Sequence, residues 1–370
     1  MSRYDVIIVG GGMAGLMLAW HLRQRHPSLD ILVLEARDRY THDRHFAFWL
    51  DDREDGFPET LISHAWRRWQ VIDAQGETMM FHGQHYRYGV IASDRFYQTM
   101  TALPALTVHH RCRITSIHED QVISEDGASY HGTMIFDARP HTNLTAPLYQ
   151  QFSGVVIETA QPCFDPDCAT LMDFSIPQPE AACAFVYSLP FSSSRALLEP
   201  TLLTARPWPV AAVQHWQSEL LNKKSLAGAT VHHHEYGLLP LTTELADTQH
   251  AIAIGTRAGW MRASTGYSFM ASWRTTSTIA ERYRPGMKTM ELPPLARPYR
   301  TTSRAMDTLW LRVAKHHPGL LPECFTAWFR ALPGDAMAAF MDDRALLATQ
   351  LKLIAHTPSP TIFLKSLCKR

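Results

Sequence analysis

The first 35 residues run through an apolar strand, a glycine-rich turn, a helix, a second strand and an acid, in that order. Asp5-Val-Ile-Ile-Val9 reads as a buried parallel strand, and Ala14 to Arg25 carries Leu16, Ala19, Trp20 and Leu22 at helical spacing. Three glycines separate them. Gly10 allows a tight turn, Gly12 lets backbone approach a pyrophosphate, and Gly15 permits close helix packing. The helix then points free N–H groups and its positive dipole end at the phosphates. Ile31-Leu-Val-Leu34 is a second strand. Glu35 ends it about 20 residues past the glycines, where a ribose hydroxyl needs an acceptor. The order of elements, more than the glycines alone, predicts a dinucleotide pocket.

A chain of 370 residues is long enough for two domains, or for one with a large insertion. Its 35 basic and 35 acidic residues balance, which removes any electrostatic case for nucleic acid. Hydrophobic residues make up 46% and charged residues only 19%, leaving room for an apolar tunnel or a membrane-facing patch. No apolar run reaches the roughly 18 residues of a membrane span. The chain enters the nucleotide strand directly, without a signal peptide, so it is expected in the cytoplasm, free or peripheral on the inner face of the membrane.

The six cysteines, at 112, 163, 168, 183, 324 and 368, form no C-x-x-C pair and fit a reducing compartment. Four residues separate Cys163 from Cys168 with no matching second pair, so zinc is not predicted. His232-His-His234 alternates faces along a strand and reads as a polar surface, so no metal site is expected.

After Arg37 a polar loop, Asp38 to Trp49, starts over the nucleotide, and Trp66 to Tyr88 alternates strands and turns. A helix begins near Ser93, a good N-cap residue. Val108 to Ile117, Gln121 to Ser124 and Tyr130 to Phe136 suggest an antiparallel meander. Composition changes at Thr142 to Pro147, and strands follow at 155–159, 169–174, 182–189, 195–204 and 230–239, with a helix over Val210 to Lys223. Ala251 to Gly255 should return to the nucleotide sheet, followed by a helix from near Gly266. Pro293, Pro294 and Pro298 mark a linker into a helical tail. The expected division is a discontinuous nucleotide domain (1–50, 80–145 and 250–285), a β-sheet substrate domain (51–79 and 146–249) and a helical region (286–370).

A second glycine-rich strand-to-helix turn runs from Ile254 to Phe269, with Gly255 and Gly266 at its ends. Such a loop sets backbone N–H groups beside a flavin ring, where they stabilise negative charge. Thr256 stands where many flavoproteins carry an acid. Two distant turns of this kind favour FAD over NAD as the tightly held cofactor.

In Phe185 to Thr201, two strands joined by a turn, Leu197, Glu199 and Thr201 share a face. An acid among Leu197, Leu198 and Leu202 is partly desolvated, which raises its pKa and favours the protonated form. The competing reading is an edge-strand glutamate paired with arginine. Glu235 is a similar candidate on a neighbouring strand, and two acids on one wall can exchange a proton with a substrate.

Five blocks in sequence, Leu171-Met-Asp-Phe174, Phe185-Val-Tyr-Ser-Leu-Pro-Phe191, Ala196-Leu-Leu-Glu-Pro-Thr201, Glu235-Tyr-Gly-Leu-Leu-Pro240 and Ala263-Ser-Thr-Gly-Tyr-Ser-Phe269, resemble bacterial lycopene cyclases of the flavin-dependent type. The resemblance covers nearly the whole chain. It implies an α/β fold: a glutathione-reductase-type FAD domain with a Rossmann-like parallel sheet, an antiparallel-sheet substrate domain like that of aromatic hydroxylases, and a helical C-terminal region. It also implies membrane-associated work on carotenoid polyenes.

Glu199 holds the position of the family's essential acid, and Pro200 replaces the acid or tyrosine that usually follows. Proline removes a ladder donor, which predicts an edge or a bulge here. The loop Thr41 to Trp49 aligns with a segment near the flavin, so Arg44 and Arg95 are expected on the flavin side. The implied reaction is a net non-redox, proton-initiated closure of the end of an acyclic polyene, lycopene to a β-ring product. It would use reduced FAD, with NAD(P)H as external reductant, Glu199 as acid and Glu235 as a relay.

The same two-domain plan also serves an FAD-dependent monooxygenase or dehydrogenase acting on an apolar substrate, or a non-catalytic flavin-binding sensor. Tyr187, Phe185, Trp208 and Trp216 are candidates to line a substrate tunnel, against core packing as the alternative. Leu309-Trp-Leu311, Phe325, Trp328, Phe329, Phe340 and Leu346-Leu347 suit either membrane-surface helices or a helical lid.

Overall fold

A computed structural model describes residues 3–104, 106–140, 145–223, 226, 228–245 and 250–368; Thr142, where the composition changes, lies outside them. The chain opens as β1 (Arg3–Val9), α1 (Met13–Arg25) and β2 (Ile31–Leu34). It continues through β3 (His45–Asp51), β4 (His64–Trp66), β5 (Arg68–Ile72), β6 (Thr78–His82), β7 (Tyr86–Ala92) and α2 (Ser93–Thr101). Then come β8 (Leu106–His109), β9 (Ile114–Ile117), β10 (Gln121–Ser124) and β11 (Ser129–Asp137). A second strand-rich stretch holds β12 (Leu148–Glu158), β13 (Cys168–Asp173), β14 (Ala182–Pro190), β15 (Arg195–Thr204), α3 (Val210–Lys223) and β16 (Thr230–Leu241). β17 (Ile252–Ala253) and α4 (Phe269–Arg282) precede five helices, α5 (Thr301–His316), α6 (Leu321–Ala331), α7 (Gly334–Met341), α8 (Leu347–Ala355) and α9 (Pro360–Cys368).

The first sheet runs β8-β2-β1-β11-β10-β9, with β17 also on β11. β1 lies between β2 and β11, parallel to both. Val6 and Ile8 pack into one core with α1 and α4, while Ile7 and Val9 pack into another with Ile114 and Val122. A strand buried on both faces needs an unbroken apolar run, and Val6 to Val9 supplies it.

The expected meander splits. β8 joins β2 in parallel, and only β9 pairs with β10. The break falls at Arg111, which has φ 57°. Its N–H donates to the Arg37 carbonyl at 2.9 Å, and the Cys112 N–H donates to the Glu35 carbonyl at 2.9 Å.

Gly15 sits in the first turn of α1, where an added Cβ would lie 2.1 Å from the Gly10 carbonyl oxygen. A backbone carbonyl cannot swing away as a side chain can. Gly15→Ala is therefore expected to cost about 1–3 kcal/mol of stability, measurable by urea unfolding.

The second sheet runs β16-β12-β15-β14-β13-β5-β6, and a small sheet runs β3-β7-β4. The boundary drawn from sequence at 79/80 falls inside β6, which pairs with β5. One face of the second sheet packs against Trp49, Trp66 and Tyr88 of the small sheet and against α5 to α7. The other packs against Val213 and Leu220 of α3.

Two local expectations change. Ser93 begins α2, but its hydroxyl caps nothing; it accepts the N–H groups of Asp43 and Arg44 at 2.9 and 3.2 Å and ties down their loop. The helix expected near Gly266 begins at Phe269, because residues 255–266 form an irregular loop with positive φ at Gly255, Gly259 and Gly266.

Candidate active site

Gly10 has φ +102° and turns β1 against the backbone of Ala138 and Arg139, 3.2 Å from where its Cβ would be. Over Gly12 an added Cβ would meet nothing within 4 Å, and no side chain caps α1. The helix N–H groups thus face open space, as an anion site requires. Glu35 is buried at the end of β2. Burial raises its pKa, but the Arg37 N–H at 2.8 Å and guanidinium at 3.0 Å outweigh this and hold the carboxyl below its usual range.

Arg37 escaped the sequence reading. It lies 5.0 and 5.1 Å from the Tyr40 and Tyr97 ring centroids and donates to the Gly11 carbonyl at 3.2 Å. Its only signal was its place two residues after Glu35. Among the described residues the buried Tyr40 hydroxyl beside it has no hydrogen-bond partner. An acid for ribose hydroxyls, uncapped N–H groups and free space above Gly12 together fit a dinucleotide. Arg44 is exposed, 3.1 Å from Asp43, and Arg95 is exposed on α2. Among the described residues, neither side chain bonds to the glycine turn or to the acids described below.

The loop after β17 joins this cradle to the second sheet. A Cβ on Gly255 (φ +67°) would lie 2.9 Å from Ala14 Cβ at the start of α1. A Cβ on Gly266 (φ +74°) would lie 3.1 Å from Gln150 Oε1 and 3.2 Å from Leu239 Cδ1, on β12 and β16. Thr256 belongs to a 3-10 turn, Gly255–Ala258. Buried Arg262 anchors the loop: it lies 3.5 Å from Asp307, donates to the Phe340 carbonyl and covers the Phe340 ring at 4.4 Å. The Tyr299 hydroxyl donates to the Trp260 and Tyr267 carbonyls at 2.8 and 2.9 Å.

Glu199 is on β15, an interior strand between β12 and β14, which corrects the edge-strand reading. Nor does Pro200 create a bulge. The β12–β15 register is the same at Phe152↔Thr201 and at Val155↔Leu198, but pairing lapses between them, opposite Pro200 and Glu199. Ser153, which this register sets opposite Pro200, is served by Gln217 of α3. Gln217 Nε2 donates to the Ser153 carbonyl at 2.7 Å and Gln217 Oε1 accepts the Ser153 hydroxyl at 3.2 Å. A side-chain amide thus supplies the donor that proline lacks.

Gly154 lies between the two candidate acids. It pairs with Glu235 on β16 and, by the same register, stands opposite Glu199 on β15. An added Cβ would lie 2.6 Å from Glu235 Cγ and 3.0 Å from Glu199 Cγ. The missing side chain lets the acids reach across β12 and share a hydrogen bond.

Glu235 also accepts the His45 N–H at 2.8 Å, and His45 Nδ1 lies 3.2 Å from its Oε1. Burial opposes the Glu235 charge, but these donors and the Glu199 proton outweigh it and hold the carboxyl below its usual range. Burial, reinforced by the neighbouring Glu235 charge, pushes Glu199 well above the carboxylate range. The pair divides into a protonated acid and an ionised base, the arrangement that two adjacent carboxyls adopt when one environment favours charge.

Tyr187 of β14 stands directly opposite Glu199. Its hydroxyl donates to Tyr88 at 2.9 Å, and Tyr88 meets the Tyr267 hydroxyl at 2.9 Å, so a phenol chain centred on buried Tyr88 borders the acid. Trp208 and Trp216 pack with α3 on the opposite face of the sheet and cannot share a tunnel with Glu199. Phe185 packs against Phe174, with ring centroids 5.7 Å apart.

His42 and His45 flank the loop that Ser93 holds, and His233 reaches them from β16. His42 stacks on His233 at 4.1 Å and 7°, and meets His45 edge-on at 4.7 Å. Candidate ligand atoms of the three lie within 4.8 Å of one another. Their convergence was hidden from a reading that considered only His232 to His234, because His42, in a loop, and His45, at the start of β3, lie about 190 residues earlier.

The chain matches a geranylgeranyl bacteriochlorophyll reductase-like protein from Thermoplasma acidophilum with TM-score 0.64 and 13% identity, over 99% of this chain and 98% of that one. It matches a flavin-dependent halogenase from Xanthomonas campestris with TM-score 0.58 and 10% identity, over 99% and 95%. These likenesses and the glycine-turn sheet define an α/β protein of the FAD-binding fold class.

The family model described as lycopene cyclase protein matches residues 5–366, so the chain belongs to the lycopene cyclase family. A lycopene beta-cyclase of Pseudescherichia vulneris is 28% identical over 294 residues, 76% of this chain and 75% of that protein. One from Pantoea ananas is 26% identical over 286 residues, 72% and 71%. The match to the chloroplastic lycopene beta cyclase of Nicotiana tabacum, 24% identical over 298 residues, spans 75% of this chain but 59% of that protein.

Proposed function

We propose that this protein closes the end of an acyclic carotenoid, lycopene to a β-ring product, without net oxidation. The observation that carries the reading is the pair of unequal acids facing each other across Gly154, half-buried Glu199 with its pKa pushed up and buried Glu235 with its pKa held down.

Glu199 gives its proton to the terminal alkene. The next double bond attacks the resulting cation, and the carboxylate pair removes a proton from the adjacent ring carbon. One proton enters the polyene and one leaves, so the product is an isomer. Carboxylic acids protonate alkenes poorly, and the Glu235 charge helps by stabilising positive charge in a poorly solvated site. Gly10, Gly12, Gly15 and Glu35, with the loop that Gly255 and Gly266 shape, would hold FAD, which in its reduced form, with NAD(P)H as reductant, would supply further negative charge. The phenol chain from Tyr187 to Tyr267 keeps the wall beside the acid dry and rigid.

The substrate dissolves in lipid, and α8 and α9 suit a membrane surface. Leu346, Leu347, Leu351, Ile354, Leu364 and Leu367 are all more than half exposed there (73, 58, 58, 54, 61 and 57%), beside exposed Lys352 and Lys365. Trp310, Leu311, Phe325 and Phe329 instead pack into the core, so the tail divides between covering the core and presenting an apolar face. Among the described residues no helix is long and apolar enough to cross a membrane.

Expression in a lycopene-accumulating host followed by pigment analysis tests the reading. Cyclised product is expected, and unchanged lycopene beside folded, flavin-bearing protein would overturn it. An anaerobic assay with pre-reduced FAD separates it from a monooxygenase or dehydrogenase. Turnover should continue without stoichiometric loss of reductant.

A further inference from the structure

We propose that His42, His45 and His233 form a proton relay that keeps the Glu199–Glu235 pair in exchange with bulk water, a role that rests on the acid–base reading above. Glu199 is half-buried and Glu235 buried, and among the described residues the pair is reached from the protein side through one polar contact, His45, whose ring is 6% exposed. Behind it stand His42 and His233, both half-buried, and next to His233 is the exposed His234 at the sheet edge. Among the described residues the Nε2 atoms of His42 and His233 are buried and have no hydrogen-bond partner, each leaving one nitrogen to give or take a proton. Ring nitrogens up to 4.8 Å apart are within the span of one bridging water.

The stacking argues for a relay rather than a metal centre. Imidazole lone pairs lie in the ring plane, and His42 and His233 are near-parallel, 7° apart with centroids 4.1 Å apart. Face-to-face rings direct their lone pairs along separate planes and do not converge on an ion about 2 Å from each nitrogen.

Charge supports the same role. The groups facing the cluster are Asp43 and Asp94 from the loop and α2, Glu235 and His234 from β16, and the three rings themselves. Burial, with repulsion between neighbouring imidazoles, lowers the pKa of His42 and His233, and the nearby acids only partly offset it. Both rings are then neutral at neutral pH, with one donor and one acceptor nitrogen each. A proton entering on one nitrogen leaves from the other, and the tautomers reset. His42 and His233 touch no reacting atom and act through His45 and Glu235.

Infrared spectroscopy reads the exchange without turnover. The carbonyl band of a protonated buried carboxyl, absent from Glu199→Gln, shifts when the flavin-loaded protein is mixed into D2O. The shift is expected at least tenfold more slowly in the His42→Gln/His233→Gln double variant and in His233→Gln alone, with added imidazole restoring part of the rate. Exchange as fast as in the parent overturns the relay. A parent lacking the Glu199 band overturns the acid–base reading instead. In D2O turnover, the variants should also place less solvent deuterium in each new ring, because the pair reuses the proton it has just removed.

Discussion

Glu199→Gln is expected to lose ring closure by a factor of about 10²–10⁴, the range of general acid catalysis, while keeping fold and flavin. Gln keeps the shape of the side chain and can still donate to Glu235, so only the transferable proton is removed. Parent-level cyclisation by this variant, measured by pigment analysis, would remove Glu199 from the mechanism. Stability should move the other way. The folded protein holds the Glu199 proton well above the ordinary glutamate value of 4.5, so above pH 4.5 the unfolded chain releases a proton that the native state retains. Stability therefore falls as pH rises through that window, and below it both states are protonated and the effect vanishes. The Gln variant does not titrate, so its advantage should widen by up to about 1.4 kcal/mol per pH unit above 4.5. Urea unfolding at two pH values measures it.

Gly154→Ala tests the pair as a pair. The new methyl would sit 2.6 Å from Glu235 Cγ and 3.0 Å from Glu199 Cγ, so at least one acid must move. A displacement near 1 Å in a reacting group costs about 100-fold in rate, and a loss of that order is expected here. Flavin binding should survive, since Gly154 lies on the second sheet, away from the glycine turn. The alkaline limb of the activity profile should move to lower pH, because separating Glu199 from the Glu235 charge removes one reason for its raised pKa. An unchanged rate and profile would mean that the two carboxyls act independently.

How much of this was legible in the sequence depends on the range of the interaction. β1, α1 and β2 follow from local periodicity, and β15 and α3 fall at the residues that alternation and helical spacing predict. Glu199 and Glu235 could be singled out one at a time. Their union could not, because it depends on Gly154, a residue whose contribution is the absence of a side chain. His45 meets Glu235 across 190 residues of chain. Strand neighbours were also hidden: the rule that proline marks an edge or a bulge failed at Pro200, because Gln217 satisfies the neighbouring backbone from another element. Trp208 and Trp216 took the core-packing alternative, and composition could not say so because it does not reveal which face of a sheet a helix covers.

The amide of Gln217 has a consequence for how the acidity of Glu199 can change. Gln217 is on α3, behind the sheet, while Glu199 looks out from the front. The strand beside the acid, β12, is therefore held at Ser153 by a contact the substrate never meets. Variation on the rear helix can retune the proton donor while every group in front stays the same, which gives selection a dial outside the reaction chamber.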